Sequence, residues 1–171
     1  MTAEAGSHHE QVLIPEALVD EIDRSVDMLL ILRRANKVAY SVTTEAQFGE
    51  AVGVDIASQR VYLEHQVKHA DVRLRAFETE EREALPDLSA LSREELLALF
   101  DGGTAGLERV FRNPANWGRR VDIPYSEPGL SGFSVLQDMR AHEAHHEGQN
   151  RGTLAHFGIP QPTAVTATFG K

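Results

Sequence analysis

Cysteine is absent from this chain, which excludes disulfides, thiolate metal sites and cysteine nucleophiles within it. Long apolar runs are missing too. No stretch approaches the roughly 18 residues needed to cross a bilayer. The polar segment Met1 to Gln11 lacks the apolar centre of a signal peptide. Positive charge is in deficit: 17 Lys and Arg stand against 26 Asp and Glu, a formal net charge of -9. Such a chain repels a phosphate backbone, so nucleic-acid binding is not expected. Arg112 with Arg119-Arg120 is the nearest thing to a basic patch and reads as loop. These absences point to a soluble cytoplasmic protein without a membrane partner.

What is present fits one folded domain. The 171 residues suffice for a core, and 42% hydrophobic with 25% charged is ordinary for a globular chain. Residues 1–14, with His8-His9, read as a flexible leader. Residues 15–160 read as a helical domain and 161–171 as an extended tail.

The spacing of apolar residues predicts four helices. The first starts at Pro15, a residue favoured in a first turn. It carries Leu18, Ile22, Val26, Leu29, Leu30 and Leu32, and ends between Arg33 and Val38. The segment from Tyr40 to Val54 reads as a connection. A second helix is expected over 56–79. One of its faces holds Ile56, Leu63, Val67, Ala70, Leu74 and Phe77, and the other Val54, Val61, Val72 and Ala76. Two apolar faces suit a bundle or a dimer contact. Ser92 and Glu95 fit a capping box before a third helix, with Gly102-Gly103 expected to interrupt it. Asn113 to Gly132, rich in Pro and Gly and holding the single Trp117, reads as a long loop; such loops are often functional. Ser134 is the expected cap of the fourth helix, which Gly158 and Pro160 stop near Phe157. The fold class is all-α, a four-helix bundle with a long loop before the last helix.

Five of the eight histidines fall in two groups, His65 with His69 and His142 with His145 and His146. Neutral imidazole is a ligand for zinc, nickel, iron and copper. Histidines four apart on a helix lie one turn apart and can reach one ion. The inward stripe of the last helix reads Val135, Met139, His142, His146, Gln149, Thr153. It changes from apolar to polar midway, which calls for partners. His65 lies near the middle of the second helix's Val61/Val72/Ala76 face and is the preferred third ligand. His69, on the shoulder of that face, is the alternative. Hydrogen bonding within a bundle is the competing explanation for histidines so placed.

His142-Glu143-Ala144-His145-His146 also spells H-E-x-x-H, the zinc-peptidase pattern with Glu as general base. No Asp or Glu follows Glu147. The extended pattern would place Gly and His where Gln149 and Gly152 stand. A peptidase is therefore not expected.

The segment Met139-Arg-Ala-His-Glu-Ala-His-His-Glu-Gly-Gln149, followed by Gly158-Ile-Pro160, resembles the last helix of the DinB/YfiT-like superfamily. The family pattern is His, three residues, His, a basic residue, Gly and Gln. His142, His146, Gly148 and Gln149 match it, and Glu147 departs from it, since Arg is usual there. Ser58-Gln-Arg-Val-Tyr-Leu-Glu-His65 resembles the segment leading to the family's first ligand and again favours His65. The resemblance implies a four-helix bundle, often dimeric, with a three-histidine site for nickel, zinc or another divalent ion. Some relatives are thiol S-transferases using bacillithiol or mycothiol, and others are mycothiol-dependent isomerases. It thus implies a metal-dependent transferase that joins a low-molecular-weight thiol to a small electrophile. In such a protein Glu143, His145 and Gln149 would orient the ligands, and the Asn113 to Gly132 loop would wall the pocket. A metal-dependent hydrolase and a non-enzymatic metal- or ligand-binding bundle in a stress response are the alternatives.

Overall fold

The computed structural model describes residues 19–53, 56–78 and 82–161. The expected leader, the start at Pro15 and nearly all of the expected tail lie outside the described residues. Helices α1 (Val19–Val42), α3 (Gln59–Phe77), α4 (Arg93–Arg112) and α5 (Gly132–His156) are the four long elements, and α2 (Glu45–Gly49) is a single short turn. Strands β1 (Arg120–Val121) and β2 (Leu130–Ser131) form a small antiparallel pair. The chain is thus all-α in substance, a four-helix bundle.

Side-chain pairings give the helix directions. Along α1 and α5, Ser25 meets Gln137 and Arg140, Arg33 meets Glu143, and Asn36 meets Asn150, so the two helices run parallel. A Cβ added at Gly103 would meet Ala70 and one at Gly106 would meet Leu74, so α3 and α4 also run parallel. Gln66 meets Glu143 and Arg73 meets Asp138, so α3 and α5 are antiparallel. Two parallel neighbours joined in sequence need a connection that returns along the bundle. The segment between α3 and α4 makes that return. Arg60, in the first turn of α3, donates to the carbonyls of Leu88, Ser89 and Leu91 and fastens its far end.

Several helix ends differ from expectation. α1 continues to Val42 because Arg33, Asn36 and Tyr40, polar in sequence, face the core. Thr44 and Gln47 form a capping box that starts α2 inside the expected connection. Gly102-Gly103 does not interrupt α4. The glycines at 103 and 106 instead allow α3 and α4 to close, since a Cβ at Gly106 would stand 2.8 Å from Leu74 Cδ1. Ser131, not Ser134, caps α5, and its side chain accepts from the Ser134 amide. The expected stop holds. Gly158 takes φ +66, and the amides of Ile159 and Gly158 reach back to Leu154 and Ala155.

Two apolar clusters fill the bundle. One holds Ile22, Val26, Leu29, Leu74, Leu107, Phe111, Val135 and Met139, and the other Tyr40, Phe48, Leu63, Val67, Leu96 and Phe100. The long loop belongs to the first cluster, where Trp117, Val121 and Ile123 are buried. Trp117 Nε1 donates to the Phe111 carbonyl at 2.7 Å, and Arg119 donates to that of Phe77 at 2.7 Å.

Between the clusters lies a layer of buried polar side chains. Arg33 donates to Glu143 at 2.5 Å, to Thr104 at 2.7 Å and to the Phe100 carbonyl at 3.2 Å. Asn36 donates to Glu143 at 3.0 Å, Asn150 to Asn36 at 3.0 Å, and Gln59 to Asn150 at 3.2 Å. Gln66 donates to Glu143 at 2.5 Å and accepts from the Tyr40 hydroxyl. Pairing of this kind makes burial of so many polar groups tolerable.

Candidate metal centre

The antiparallel crossing of α3 and α5 brings His65 opposite His142 and His146. The Nε2 atoms of His65 and His142 stand 2.8 Å apart, and those of His146 and His142 stand 3.3 Å apart. One ligand atom from each of the three lies within 4.8 Å of the others, an arrangement able to hold a metal ion. Around a tetrahedral ion with bonds of about 2.0–2.1 Å, ligand nitrogens stand roughly 3.3–3.4 Å apart. The 3.3 Å separation fits this directly, and the 2.8 Å separation requires a small opening. The donor set, three imidazole nitrogens, suits zinc, nickel, copper or iron. His65 is exposed, His142 half-buried and His146 buried, so the group opens to solvent on its α3 side.

Burial is the first cause of a large fall in the basicity of these rings. It lowers His146 to about 4 and His142 to about 3, with the other histidines and, for His142, Arg73 and Arg33 adding to the fall. The nearby Gln149 side chain, an acceptor for a protonated ring, opposes the fall at His146. His65 is lowered in the same direction, by burial and then by Arg73 and Lys68. All three are therefore neutral near pH 7, the form that ligates metal. The buried Nδ1 atoms of His142 and His146 have no partner of good hydrogen-bond geometry, and neither does Gln149 Oε1. Partners at that second nitrogen usually orient ligating histidines. For His142 the contact that fixes the ring plane is a stack.

That contact comes from His69, which lies flat against His142, with ring centroids 3.5 Å apart and planes 4° apart. His69 is lowered to about 2, by burial first and then by His142. It supplies no nitrogen to the three-atom group. Sequence spacing placed it beside His65 but could not show a stack formed with another helix.

The buried stripe of α5 is rotated from the one expected. Glu143, Glu147 and Asn150 are buried, while His142 and Gln149 are half-buried. Glu143 is 0% exposed. Arg33, Asn36 and Gln66 occupy both of its carboxylate oxygens. Burial pushes the carboxyl upward, and Arg33 and the two amides oppose that. It is neither off the stripe nor placed as a base on a histidine-bound substrate. His145 is exposed, its ring 5.6 Å from that of His146, and lies outside the three-atom group.

No family model matches the sequence. No curated protein matches it either. Among solved structures the fold is similar to that of YfiT from Bacillus subtilis, described as a probable metal-dependent hydrolase with an unusual four-helix bundle topology. The TM-score is 0.67 at 17% identity, and the match covers 88% of this chain and 95% of that one. At such identity the likeness speaks to fold alone: a four-helix bundle like that of YfiT, the fold class expected from the sequence.

Proposed function

We propose that His65, His142 and His146 hold a divalent ion, nickel or zinc as the family resemblance implies. We read the chain as a metal-dependent enzyme of thiol S-transferase type acting on a small electrophile. The observation that carries this reading is the convergence of three neutral imidazole nitrogens at a solvent-open crossing of two helices. A divalent ion bound there would supply Lewis acidity, lowering the pKa of a thiol or water beside it. Three protein ligands leave room for that fourth group.

The chain's residues supply the rest. Burial keeps His142 and His146 unprotonated, and His69 holds the plane of the His142 ring. Glu143, the acid of the H-E-x-x-H pattern, is tied up in the core. That favours a nucleophile that ionises readily without a protein base. A low-molecular-weight thiol does so more readily than water, and a chain without cysteine must take its thiol from a co-substrate. Hydrolysis is the second reading, favoured by the shared fold with YfiT and its description. A homodimer is part of the proposal, carried by the family resemblance of the sequence.

The test is turnover of a chromogenic small electrophile, and separately of activated esters and amides, by nickel- or zinc-loaded protein with and without bacillithiol or mycothiol. Thiol-dependent loss of the electrophile supports the transferase. Thiol-independent hydrolysis moves the chain to the second reading. Loss of neither substrate leaves a binding protein.

A further inference from the structure

His65 and His142 are each followed in sequence by a residue that points into the core, Gln66 and Glu143. Those two residues are themselves joined across the same crossing, Gln66 Nε2 donating to Glu143 Oε2 at 2.5 Å. α3 packs most extensively on α4, and α5 on α1, while α3 and α5 touch each other sparsely. Apolar packing therefore does little to fix how far α3 slides along α5. Specific polar links must do so: Gln59 to Asn150 and Arg73 to Asp138 lie on either side along the crossing, and Gln66 to Glu143 lies between them, one residue from each histidine.

The link is rigid at both ends. Glu143 is fully buried and is also gripped by Arg33 and Asn36 of α1. Arg33 is in turn held by Thr104 and the Phe100 carbonyl of α4, with its guanidinium 3.9 Å from the Phe100 ring centroid. Gln66, 0% exposed, is held from behind by the Tyr40 hydroxyl. Glu143 of α5 is thus joined directly to α1 and α3, and through Arg33 to α4. A one-turn slip would leave the buried Gln66 amide N–H without its acceptor and take one of the donors from Glu143, which is unfavourable.

We infer that Gln66 and Glu143 are positioning residues, whose buried link sets the α3–α5 register and so brings His65 within reach of His142 and His146. Its consequence for metal rests on the three-histidine reading; its consequence for the histidines themselves does not.

The test compares Gln66→Leu and Gln66→Asn with Gln59→Leu. The first two remove the reach to Glu143, one with an apolar side chain and one with a shorter amide. Gln59→Leu removes the other buried α3–α5 link, to Asn150, together with the contact to the Ala39 carbonyl, and spares Glu143 beside the histidines. One readout is cobalt(II) affinity with its visible spectrum. The other, on metal-free protein, is the nuclear Overhauser contact between the His65 and His142 rings, whose centroids are 5.0 Å apart. Both Gln66 variants are expected to weaken cobalt binding about tenfold or more, alter the spectrum and lose the ring contact. Gln59→Leu should keep all three, even if it melts earlier. Parent-like ring contact and binding in the Gln66 variants, or equal losses in Gln59→Leu, would overturn the inference. If the parent binds no cobalt, the metal reading fails by itself, and the ring contact still decides the register.

Discussion

Arg33 Nη1 donates to Glu143 Oε1 at 2.5 Å, with both side chains at 0% exposure and the two residues 110 positions apart in sequence. Removing one partner of a buried ion pair leaves the other charge without compensation, at a cost of about 3–5 kcal/mol. Glu143→Leu should therefore destabilise the fold by that order. The double variant Arg33→Met/Glu143→Leu should recover much of the loss, because neither charge is then stranded. Urea unfolding of the three proteins measures this. A double variant no more stable than Glu143→Leu would show that the stranded Arg33 charge is not what destabilises the single variant.

The pH dependence of the metal-free protein has a definite sign. Unfolded histidines take a proton near pH 6.5. In the folded state His146, His142 and His69 resist protonation down to about 4, about 3 and about 2. Below pH 6.5 the unfolded chain binds more protons, so stability is complete above that pH and falls as pH is lowered. Urea midpoints should decline between about pH 6.5 and 4.5, a window above the ordinary carboxylate range. A flat profile there would contradict the buried, neutral assignment.

Two glycines of α4 should respond to alanine in opposite ways. A Cβ at Gly102 meets nothing within 4 Å, whereas one at Gly106 would lie 2.8 Å from Leu74 Cδ1. Gly102→Ala should gain up to about 1 kcal/mol from helix propensity. Gly106→Ala has the same gain but must displace a fully buried leucine, and overpacking of this kind costs about 1–3 kcal/mol. Thermal melts should rise for the first and fall for the second. A rise in both would contradict close packing of α4 on Leu74.

What could be read in the sequence was local. The spacing of Ile22, Val26, Leu29 and Leu32 marks a buried face of α1, and Ser92 with Glu95 marks the start of α4, because both signals lie within a few residues. The His142 to His146 interval likewise encodes a shared helix face. The interior place of Glu143 was not legible, since it depends on an arginine on another helix. Gly102-Gly103 looked like a break because its partner, α3, is remote in sequence. The stack of His69 on His142 follows from the crossing of α3 and α5, which no interval within one helix reports. Thr44 and Gln47 did carry a capping signal for α2, within a stretch whose glycines suggested only a connection.

Metal content tests the three-histidine centre most directly. Elemental mass spectrometry would be run on tag-free parent and on His65→Ala, His142→Ala, His146→Ala and His69→Phe, each reconstituted with nickel or zinc. The prediction is about one ion per chain in the parent, bound through three nitrogens. Each alanine variant should lose it, and His69→Phe, which keeps an aromatic ring against His142, should retain it. No metal in the reconstituted parent would contradict the centre, and loss in His69→Phe with retention in His65→Ala would move the third ligand to His69.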